Sequence, residues 1–193
     1  MPLPLAKSTV IVLAAGRGER FVASGGTTHK LQALLHGTSV LAHTLAAVRA
    51  SGLPFHVVTP YGLMALGMGD SIARGVAATV GANGWLILPA DLPMITASSL
   101  LAVAHAVHAG SCAVVQPFVA SKAAHPVGFK RECLEALLAL SGDVGARSVV
   151  QRYRAAGQWQ PLALQDLGAV HDIDTVVDLE RLSRMGLAPS SAQ

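Results

Sequence analysis

Residues 10–20 constrain the fold of this chain most, because a β-branched apolar run there turns directly into small residues and glycines. Four consecutive apolar residues that end at small residues are typical of a strand buried on both faces, as in a parallel sheet. The residues beyond the strand leave room for a ligand near the backbone, whose N–H groups can bind an anion. The small residues are Ala14, Ala15, Gly16 and Gly18, and the basic residues that follow are Arg17, Arg20 and Lys30. The stretch therefore predicts a phosphate-binding loop at the end of a first strand.

Two better-known phosphate motifs do not fit this stretch. The P-loop pattern GxxxxGK[ST] is missing, and Phe21 stands where the third glycine of a dinucleotide-binding fingerprint belongs. An ordinary strand-to-loop turn with solvated arginines remains the alternative at this point.

The length of 193 residues suits one domain, and 52% hydrophobic with 13% charged residues predicts a well-buried core. We expect that domain to cover residues 1–185 and residues 186–193 to form a flexible tail. Residues 1–7 lack the pattern of a secretion signal, and no run of 18 apolar residues occurs, so we expect a cytoplasmic protein without a membrane span. Cys112 and Cys133 are expected to be buried thiols.

The net charge of +3 comes from scattered basic residues, and aromatic residues make up only 4% of the chain. This composition argues against a nucleic-acid-binding surface. It is compatible with a small polyanionic substrate, which a local positive field attracts.

Strand and helix patterns alternate along the first half of the chain. They predict a single-domain α/β fold with a doubly wound, mostly parallel sheet. Between the first strand and the first long helix, the Ser/Gly/Thr-rich residues 21–29 are expected to form a loop that closes over a ligand and carries Lys30 with it. The predicted strands are residues 10–13, 55–59, 85–88 and 112–116. The predicted helices are residues 40–50 with Ser39 as cap, 70–80 with Asp70 or Ser71 as cap, 97–109 with Thr96 as cap, and 131–140.

Two aspartates are the strongest candidates for chemistry. Asp91 directly follows the most hydrophobic strand, and Asp174 follows an apolar residue just before a predicted final helix. Ligands of open α/β sheets bind outside the carboxyl ends of the strands, and Mg²⁺ prefers one or two carboxylates together with phosphate oxygens and water. Either residue could instead cap a helix or turn.

Taken together, the motifs resemble the MobA-like nucleotidyltransferases, and most closely their molybdenum-cofactor cytidylyltransferase branch. They follow the order of that family over nearly the whole chain. The matching stretches are Leu13-Ala14-Ala15-Gly16-Arg17-Gly18-Glu19-Arg20, Lys30-Leu31, Gly69-Asp70-Ser71-Ile72, Pro89-Ala90-Asp91-Leu92-Pro93, His125-Pro126-Val127-Gly128-Phe129, Gly142-Asp143-Val144-Gly145-Ala146-Arg147 and Asp172-Ile173-Asp174-Thr175.

The resemblance implies a Rossmann-like fold of the nucleotide-diphospho-sugar transferase type and a role for each motif. Arg20 and Lys30 would contact the phosphates as catalytic residues beside Asp91, and Asp91 and Asp174 would hold Mg²⁺. His125 and residues 142–147 would line the side that binds the acceptor. The residues implied to bind the nucleotide are Leu13, Ala14, Ala15, Gly16, Arg17, Gly18 and Ser71.

The implied reaction transfers CMP from CTP, or another nucleoside triphosphate, to molybdopterin, and releases pyrophosphate. The sequence Leu-Ala-Ala-Gly suggests cytidine, whereas the guanylyl branch more often has Leu-Ala-Gly-Gly. A client molybdoenzyme or its chaperone would be the protein partner.

The chain departs from the family where Lys30 lies ten positions after Arg20, and where Val176 and Val177 replace Pro-Glu. A transferase with another phosphorylated acceptor (a sugar or alcohol phosphate), or a catalytically weak nucleotide-binding regulatory or chaperone-like module, remains an alternative.

Overall fold

A computed structural model describes residues 8–60 and 66–185 of the chain. Short 3₁₀ turns at Arg131–Cys133 and Leu167–Ala169 accompany the helices and strands. In chain order the elements are β1 (Thr9–Leu13), α1 (Glu19–Ala23), β2 (Leu34–Leu35), β3 (Thr38–Ser39), α2 (Val40–Ala50), β4 (Phe55–Val58), α3 (Met68–Ala78), β5 (Gly84–Pro89), α4 (Ala97–Ala109), β6 (Val114–Val119), β7 (Lys122–Ala123), β8 (Val127–Lys130), α5 (Leu134–Leu138), α6 (Arg147–Ala155), β9 (Trp159–Ala163) and α7 (Val176–Met185).

Within the described residues, seven strands form one mostly parallel sheet. Its order is β4-β1-β5-β8-β6-β7, and β9 pairs with β6. β1 is parallel to both β4 and β5, and β6 is parallel to β9. β8 runs antiparallel between β5 and β6, and β7 is antiparallel to β6. The predicted α/β fold with a doubly wound, mostly parallel sheet is confirmed.

Successive residues of β1 point into two separate cores, one on each face of the sheet. Val10 and Val12 belong to the core that contains Leu100 of α4, whereas Ile11 belongs to the core that contains Ile72 of α3. All three β1 residues are fully buried. This two-sided burial is why the strand reads as a continuous apolar run rather than as an alternating pattern.

Two helix starts match their predicted caps. The Ser39 side chain accepts a hydrogen bond from the Ala42 N–H at the start of α2, and Thr96 accepts one from the Ser99 N–H at the start of α4. Each cap satisfies a backbone donor that has no partner inside its helix.

The prediction of a loop over residues 21–29 is wrong at its first residues, because Glu19–Ala23 is a helix. Phe21 is only 2% exposed and anchors this segment in the core. A Cβ atom on Gly26 would lie 2.4 Å from the Phe21 ring, so the glycine lets the chain wrap tightly around that side chain. A single buried aromatic residue therefore orders a segment whose Ser/Gly/Thr composition suggests a loop.

The predicted caps of α3 are also wrong, because Gly67 occupies the N-cap and no side chain bonds there. Asp70 Oδ1 instead accepts a hydrogen bond from the Gly142 N–H at 3.1 Å. A Cβ atom on Gly67 would lie 2.2 Å from the Gly142 carbonyl oxygen. The backbones at Gly67 and Gly142 pack against each other. Asp70 therefore bonds to the Gly142 N–H instead of capping its own helix. Ser71, the other predicted cap, donates its hydroxyl to the Gly67 carbonyl.

Smaller differences concern element ends and thiols. β6 begins at Val114 rather than at residue 112, and the helix expected over 131–140 is a 3₁₀ turn followed by α5. Cys133 is buried as expected, whereas Cys112 is only partly buried, and both are free thiols. The predicted tail at 186–193 lies outside the described residues. In the part of the chain described here, none of the helices has the length and apolar character needed to cross a bilayer.

Gly128 of β8 provides a test of how α4 packs on the sheet. A Cβ atom there would lie 2.4 Å from Val107 Cγ2 and 2.9 Å from Val103 Cγ1. We expect Gly128→Ala to lower the free energy of unfolding by about 1–3 kcal/mol, because the added methyl overpacks the core. Urea denaturation measures the change. The control is Gly81→Ala, since Gly81 is exposed with open space around its Cβ position. Equal stability of the two variants would contradict this packing.

Candidate active site

A cleft of about 400 Å³ opens at the carboxyl ends of β1 and β5. The loop after β1 forms one wall, and the residues that follow β5 lie at its base. Its lining mixes charged side chains with small and apolar ones, as expected for a site that takes a polar ligand. The lining residues are Leu13, Ala15, Gly16, Arg17, Gly18, Glu19, Arg20, Phe21, His29, Lys30, Leu31, Leu66, Met68, Ser71, Pro89, Asp91, Asp143 and Asp174.

The glycines of the first loop have different structural roles. Gly18 has φ +67°, in the left-handed region that favours glycine, and caps the start of α1. Gly16 has no heavy atom within 4 Å of its Cβ position, so its backbone faces open space where it lines the cleft. A ligand in the cleft can therefore come close to the main chain at Gly16.

His29 fixes the orientation of the Gly16 peptide. Its Nε2 lies 2.9 Å from the Gly16 carbonyl oxygen, and its Nδ1 lies 3.3 Å from the Leu31 nitrogen. A carbonyl oxygen can only accept and a backbone nitrogen can only donate, so Nε2 carries the proton and Nδ1 is the acceptor. The last residue of the 21–29 segment therefore holds the glycine loop in place.

A lysine lies between two aspartates at the base of the cleft. Lys30 Nζ is 2.5 Å from Asp91 Oδ2 and 2.9 Å from Asp174 Oδ1. The three side chains are only 13–21% exposed. Arg20 also contacts Asp174, at 2.5 Å, but its own side chain is 77% exposed. Because Arg20 is exposed, solvent screening makes the Arg20–Asp174 contact weaker than the two contacts of Lys30.

The fold brings the two aspartates together through one buried residue. Asp91 lies just beyond the end of β5, and its carbonyl oxygen accepts a hydrogen bond from the Ile173 N–H at 3.0 Å. Ile173 is completely buried, so the backbone around it is fixed in the core. Asp174 is the next residue and consequently enters the cleft beside Asp91.

The start of α7 holds Asp174 from the other side. Asp178 Oδ2 accepts hydrogen bonds from the Thr175 N–H at 2.9 Å and the Thr175 hydroxyl at 2.7 Å. Thr175 Oγ1 in turn accepts from the Asp178 N–H at 3.2 Å, which completes a reciprocal capping box. Asp178 also accepts a weaker bond from the Asp174 N–H, at 3.3 Å. Burial favours the protonated acid, but these hydrogen bonds outweigh it and lower the pKa of Asp178.

Charge balance keeps Lys30 ionised. Burial alone would lower the pKa of Lys30, but Asp91 and Asp174 more than offset that cost, so the pKa is raised above its ordinary value. Asp91 Oδ1 is buried and has no hydrogen-bond partner among residues 8–60 and 66–185. This spare oxygen, which belongs to one of two neighbouring aspartates, fits the preference of Mg²⁺ for carboxylate ligands supplemented by phosphate and water. No cluster of three metal-binding side chains occurs within residues 8–60 and 66–185.

Ten of the residues predicted for the site line this one cleft, and two do not. Ala14 is packed in the core, and its N–H is bonded to the Val58 carbonyl. His125 lies beside the cleft rather than in its lining. The ten are Leu13, Ala15, Gly16, Arg17, Gly18, Arg20, Lys30, Ser71, Asp91 and Asp174.

The His125 side chain, beside the cleft, carries a buried nitrogen. Its Nδ1 has no hydrogen-bond partner in the described structure. Burial lowers the pKa of His125, and the nearby charges of Asp91 and Asp172 offset only part of that effect. The imidazole is therefore neutral at physiological pH and can both donate and accept one hydrogen bond.

Several residues of the site were missed from the sequence. The Thr-x-x-Asp spacing of Thr175 and Asp178 is a recognisable capping-box signal, although aspartate replaces the usual glutamate. Nothing in the sequence marks His29, since its partner Gly16 lies 13 positions away. Leu66 and Met68 enter the lining through the packing of the Gly67 and Gly142 stretches described above, and Asp143, which lies within the predicted segment 142–147, lines the same cleft.

Residues 10–157 match the family model of the MobA-like NTP transferase domain. The chain belongs to this family. The matched region contains the glycine loop, Lys30 and Asp91, whereas Asp174 lies beyond it. The function of this family is nucleotidyl transfer. A comparison with curated proteins gave no match.

Solved structures share the fold over almost the entire chain. Rv0371c from Mycobacterium tuberculosis has 22% sequence identity and a TM-score of 0.72, covering 94% of this chain and 100% of its own. The same protein has been solved in complex with manganese. A nucleotidyl transferase from Methanothermobacter thermautotroptrophicus has 19% identity and a TM-score of 0.76, covering 93% and 97%. The molybdopterin-guanine dinucleotide biosynthesis protein A from Archaeoglobus fulgidus has 15% identity and a TM-score of 0.60, covering 92% and 97%.

The capping box of this MobA-like domain predicts a pH-dependent stability. Asp178→Ala should lower the free energy of unfolding by about 1 kcal/mol at neutral pH, because the start of α7 loses its cap. Since the folded-state pKa of Asp178 is lowered, its contribution is present above the ordinary carboxyl pKa and is lost as the pH falls through the folded-state pKa. Urea denaturation of both proteins at neutral and acidic pH should therefore show a difference that shrinks in acid.

The control is Glu180→Ala in the same helix, because the Glu180 side chain makes an exposed ion pair with Arg184 and no other contact of this kind within the described part of the chain. That change should have little effect at either pH. A stability loss for Asp178→Ala that stays constant in acid would show that the carboxylate is not what stabilises the helix start.

Proposed function

We propose that this chain is a cytidylyltransferase that transfers CMP from CTP to the terminal phosphate of a molybdopterin-type acceptor and releases pyrophosphate. The observation that carries the proposal is the Lys30–Asp91–Asp174 centre beneath an open glycine loop, in a chain that belongs to the MobA-like NTP transferase family. The Archaeoglobus relative, named for molybdopterin-guanine dinucleotide biosynthesis, supports the acceptor class. We infer a cytoplasmic enzyme that passes its product to a client molybdoenzyme or to the chaperone of one.

The triphosphate would lie along the first loop. Gly16 leaves its backbone open to the ligand, and Arg17 and Arg20 bring positive charge to the same wall. Lys30 supplies a third cation at the base of the cleft. Phosphoryl-type transfer requires alignment and charge neutralisation rather than a protein nucleophile, and this set of residues offers both.

Asp91 and Asp174 are the residues that would hold a divalent metal, which we propose to be Mg²⁺. The unpartnered Asp91 Oδ1 and the contact of both carboxylates with the same ammonium support this assignment, as does the manganese complex of Rv0371c. When bound, the metal would help to neutralise the charge of the α-phosphate.

In the proposed reaction, an oxygen of the acceptor phosphate attacks the α-phosphorus of CTP. The new phosphorus–oxygen bond forms as the bond to the bridging α–β oxygen breaks, and pyrophosphate leaves with that electron pair. Arg20 and Lys30 would stabilise the negative charge on the leaving group. His125, neutral and with a free Nδ1, would orient the acceptor phosphate by a hydrogen bond.

The inserted segment before Lys30 bears on the alternatives. A misplaced lysine would favour a weakly active nucleotide-binding module. Instead, Lys30 Nζ lies within hydrogen-bond distance of both aspartates, which favours an enzyme. Transfer to a sugar or alcohol phosphate remains the alternative reaction, and an acceptor panel distinguishes it.

The test is pyrophosphate release by purified protein with CTP, Mg²⁺ and molybdopterin, with GTP and other phosphorylated acceptors in parallel. Asp91→Asn should lower turnover by at least about 100-fold, because a group that stabilises transition-state charge is lost. The matched control is Glu135→Gln on the exposed face of α5, which should keep full activity. Near-normal turnover of folded Asp91→Asn would refute the assignment, and turnover only with another acceptor would redirect it.

Two neighbouring alanines test the preference for cytidine. Both are buried, Ala15 in the core on one face of the sheet and Ala14 in the core on the other, but only Ala15 also lines the cleft. Ala15→Gly should raise kcat/KM for GTP relative to CTP by about tenfold, because removing one methyl group from the wall admits a larger base. Ala14→Gly removes the same methyl group from a position outside the cleft and should leave the ratio of kcat/KM for GTP to that for CTP unchanged. Equal ratios in both variants would show that Ala15 does not select the nucleotide.

A further inference from the structure

Lys30 holds Asp91 Oδ2 and Asp174 Oδ1, the pair of oxygens through which a divalent cation could bridge the two aspartates, and among the described residues only Asp91 Oδ1 of the two carboxylates is left unpartnered. The ammonium lies 2.5 Å from Asp91 Oδ2 and 2.9 Å from Asp174 Oδ1, whereas Mg²⁺ binds carboxylate oxygens at about 2.0–2.1 Å. A metal held by these two oxygens would occupy nearly the same volume as the lysine nitrogen. The two cations therefore exclude each other in the arrangement observed here.

The net charge around Asp91 and Asp174 also disfavours a divalent cation when no nucleotide is bound. Lys30 and Arg20 balance the two carboxylates, so the cluster presents no net negative charge to an incoming cation. A triphosphate changes this balance, because it offers both basic side chains another anion. It also brings oxygens that can share the metal with the aspartates.

The path of the lysine side chain allows the exchange. Its Cγ atom runs 3.5 Å from the Cβ position of Gly18, so the stem lies against the phosphate-binding loop. From there the ammonium needs only rotations about its flexible side-chain bonds to move from the aspartates toward a ligand on the loop. The backbone of the site can stay in place.

We propose that Lys30 is the resident cation of the Asp91–Asp174 site and makes divalent-metal binding conditional on nucleotide. This rests on the proposed function, which assigns the metal to the two aspartates. The lysine holds the carboxylates together until a triphosphate draws its ammonium away, and the metal enters with that nucleotide. The enzyme thereby avoids binding a divalent cation without its substrate.

The test is titration with Mn²⁺ alone, with the free ion followed by electron paramagnetic resonance, in the absence and presence of α,β-methylene-CTP. Lys30→Met should bind Mn²⁺ without nucleotide at least about tenfold more tightly than the wild type does. The nucleotide analogue should tighten Mn²⁺ binding to the wild type far more than to the variant. Lys30→Gln serves as a second neutral variant in case the methionine disturbs folding.

Arg17→Met is the matched control. It removes one positive charge from the same cleft, but among the described residues Arg17 pairs with Glu19 and with neither aspartate, so both aspartates keep their lysine. If the Lys30 variants gain no more Mn²⁺ affinity than Arg17→Met, a general charge effect explains the data and the exchange is refuted. The metal assignment still stands if the wild type together with the analogue binds more Mn²⁺ than the analogue does without protein. Absence of Mn²⁺ binding in every protein, with or without the analogue, would overturn the metal assignment and the exchange together.

Discussion

The contact of Lys30 with Asp91 and Asp174 is the interaction on which the rest of the site depends. It joins three segments that are far apart in the chain, since Lys30 and Asp174 are 144 positions apart. Two carboxylates brought together in a largely buried site would repel each other without a cation. Removing one partner from such a centre costs several kcal/mol, because the remaining charge stays buried without compensation. The glycine loop, the end of β5 and the start of α7 are thus tied to one another at the point where the chemistry is proposed.

Glycines make this arrangement possible by letting backbones meet closely. Gly67 approaches the Gly142 carbonyl, and Gly128 lies beneath the valines of α4. The first contact joins the α3 stretch to the loop that precedes α6, on the far side of the cleft. The second seats α4 on β8, the antiparallel strand next to β5. The first contact brings Leu66, Met68 and Asp143 into the lining of the cleft, whereas the second holds α4 against the sheet in the core.

Much of the fold and of the charged centre is predictable from the sequence, for local reasons. β1 and α4 follow from apolar runs and a threonine cap, and Asp91 stands out as a carboxylate directly after a buried strand. The α1 helix was missed because one buried side chain, Phe21, decides its structure against the surrounding composition. The bond of Asp70 to Gly142 and that of His29 to Gly16 are tertiary contacts, which no local pattern encodes. That Lys30 bridges both aspartates depends on the complete fold for the same reason.

The most direct test of the account is the fate of the α-phosphate. Wild-type protein would be incubated with Mg²⁺, a molybdopterin-type acceptor and CTP labelled with ³²P at either the α or the γ position. The account predicts that the α label appears on the acceptor and that the γ label leaves as pyrophosphate. Transfer of the γ label to the acceptor, or failure of the α label to move from any nucleoside triphosphate to any acceptor tried, would contradict it.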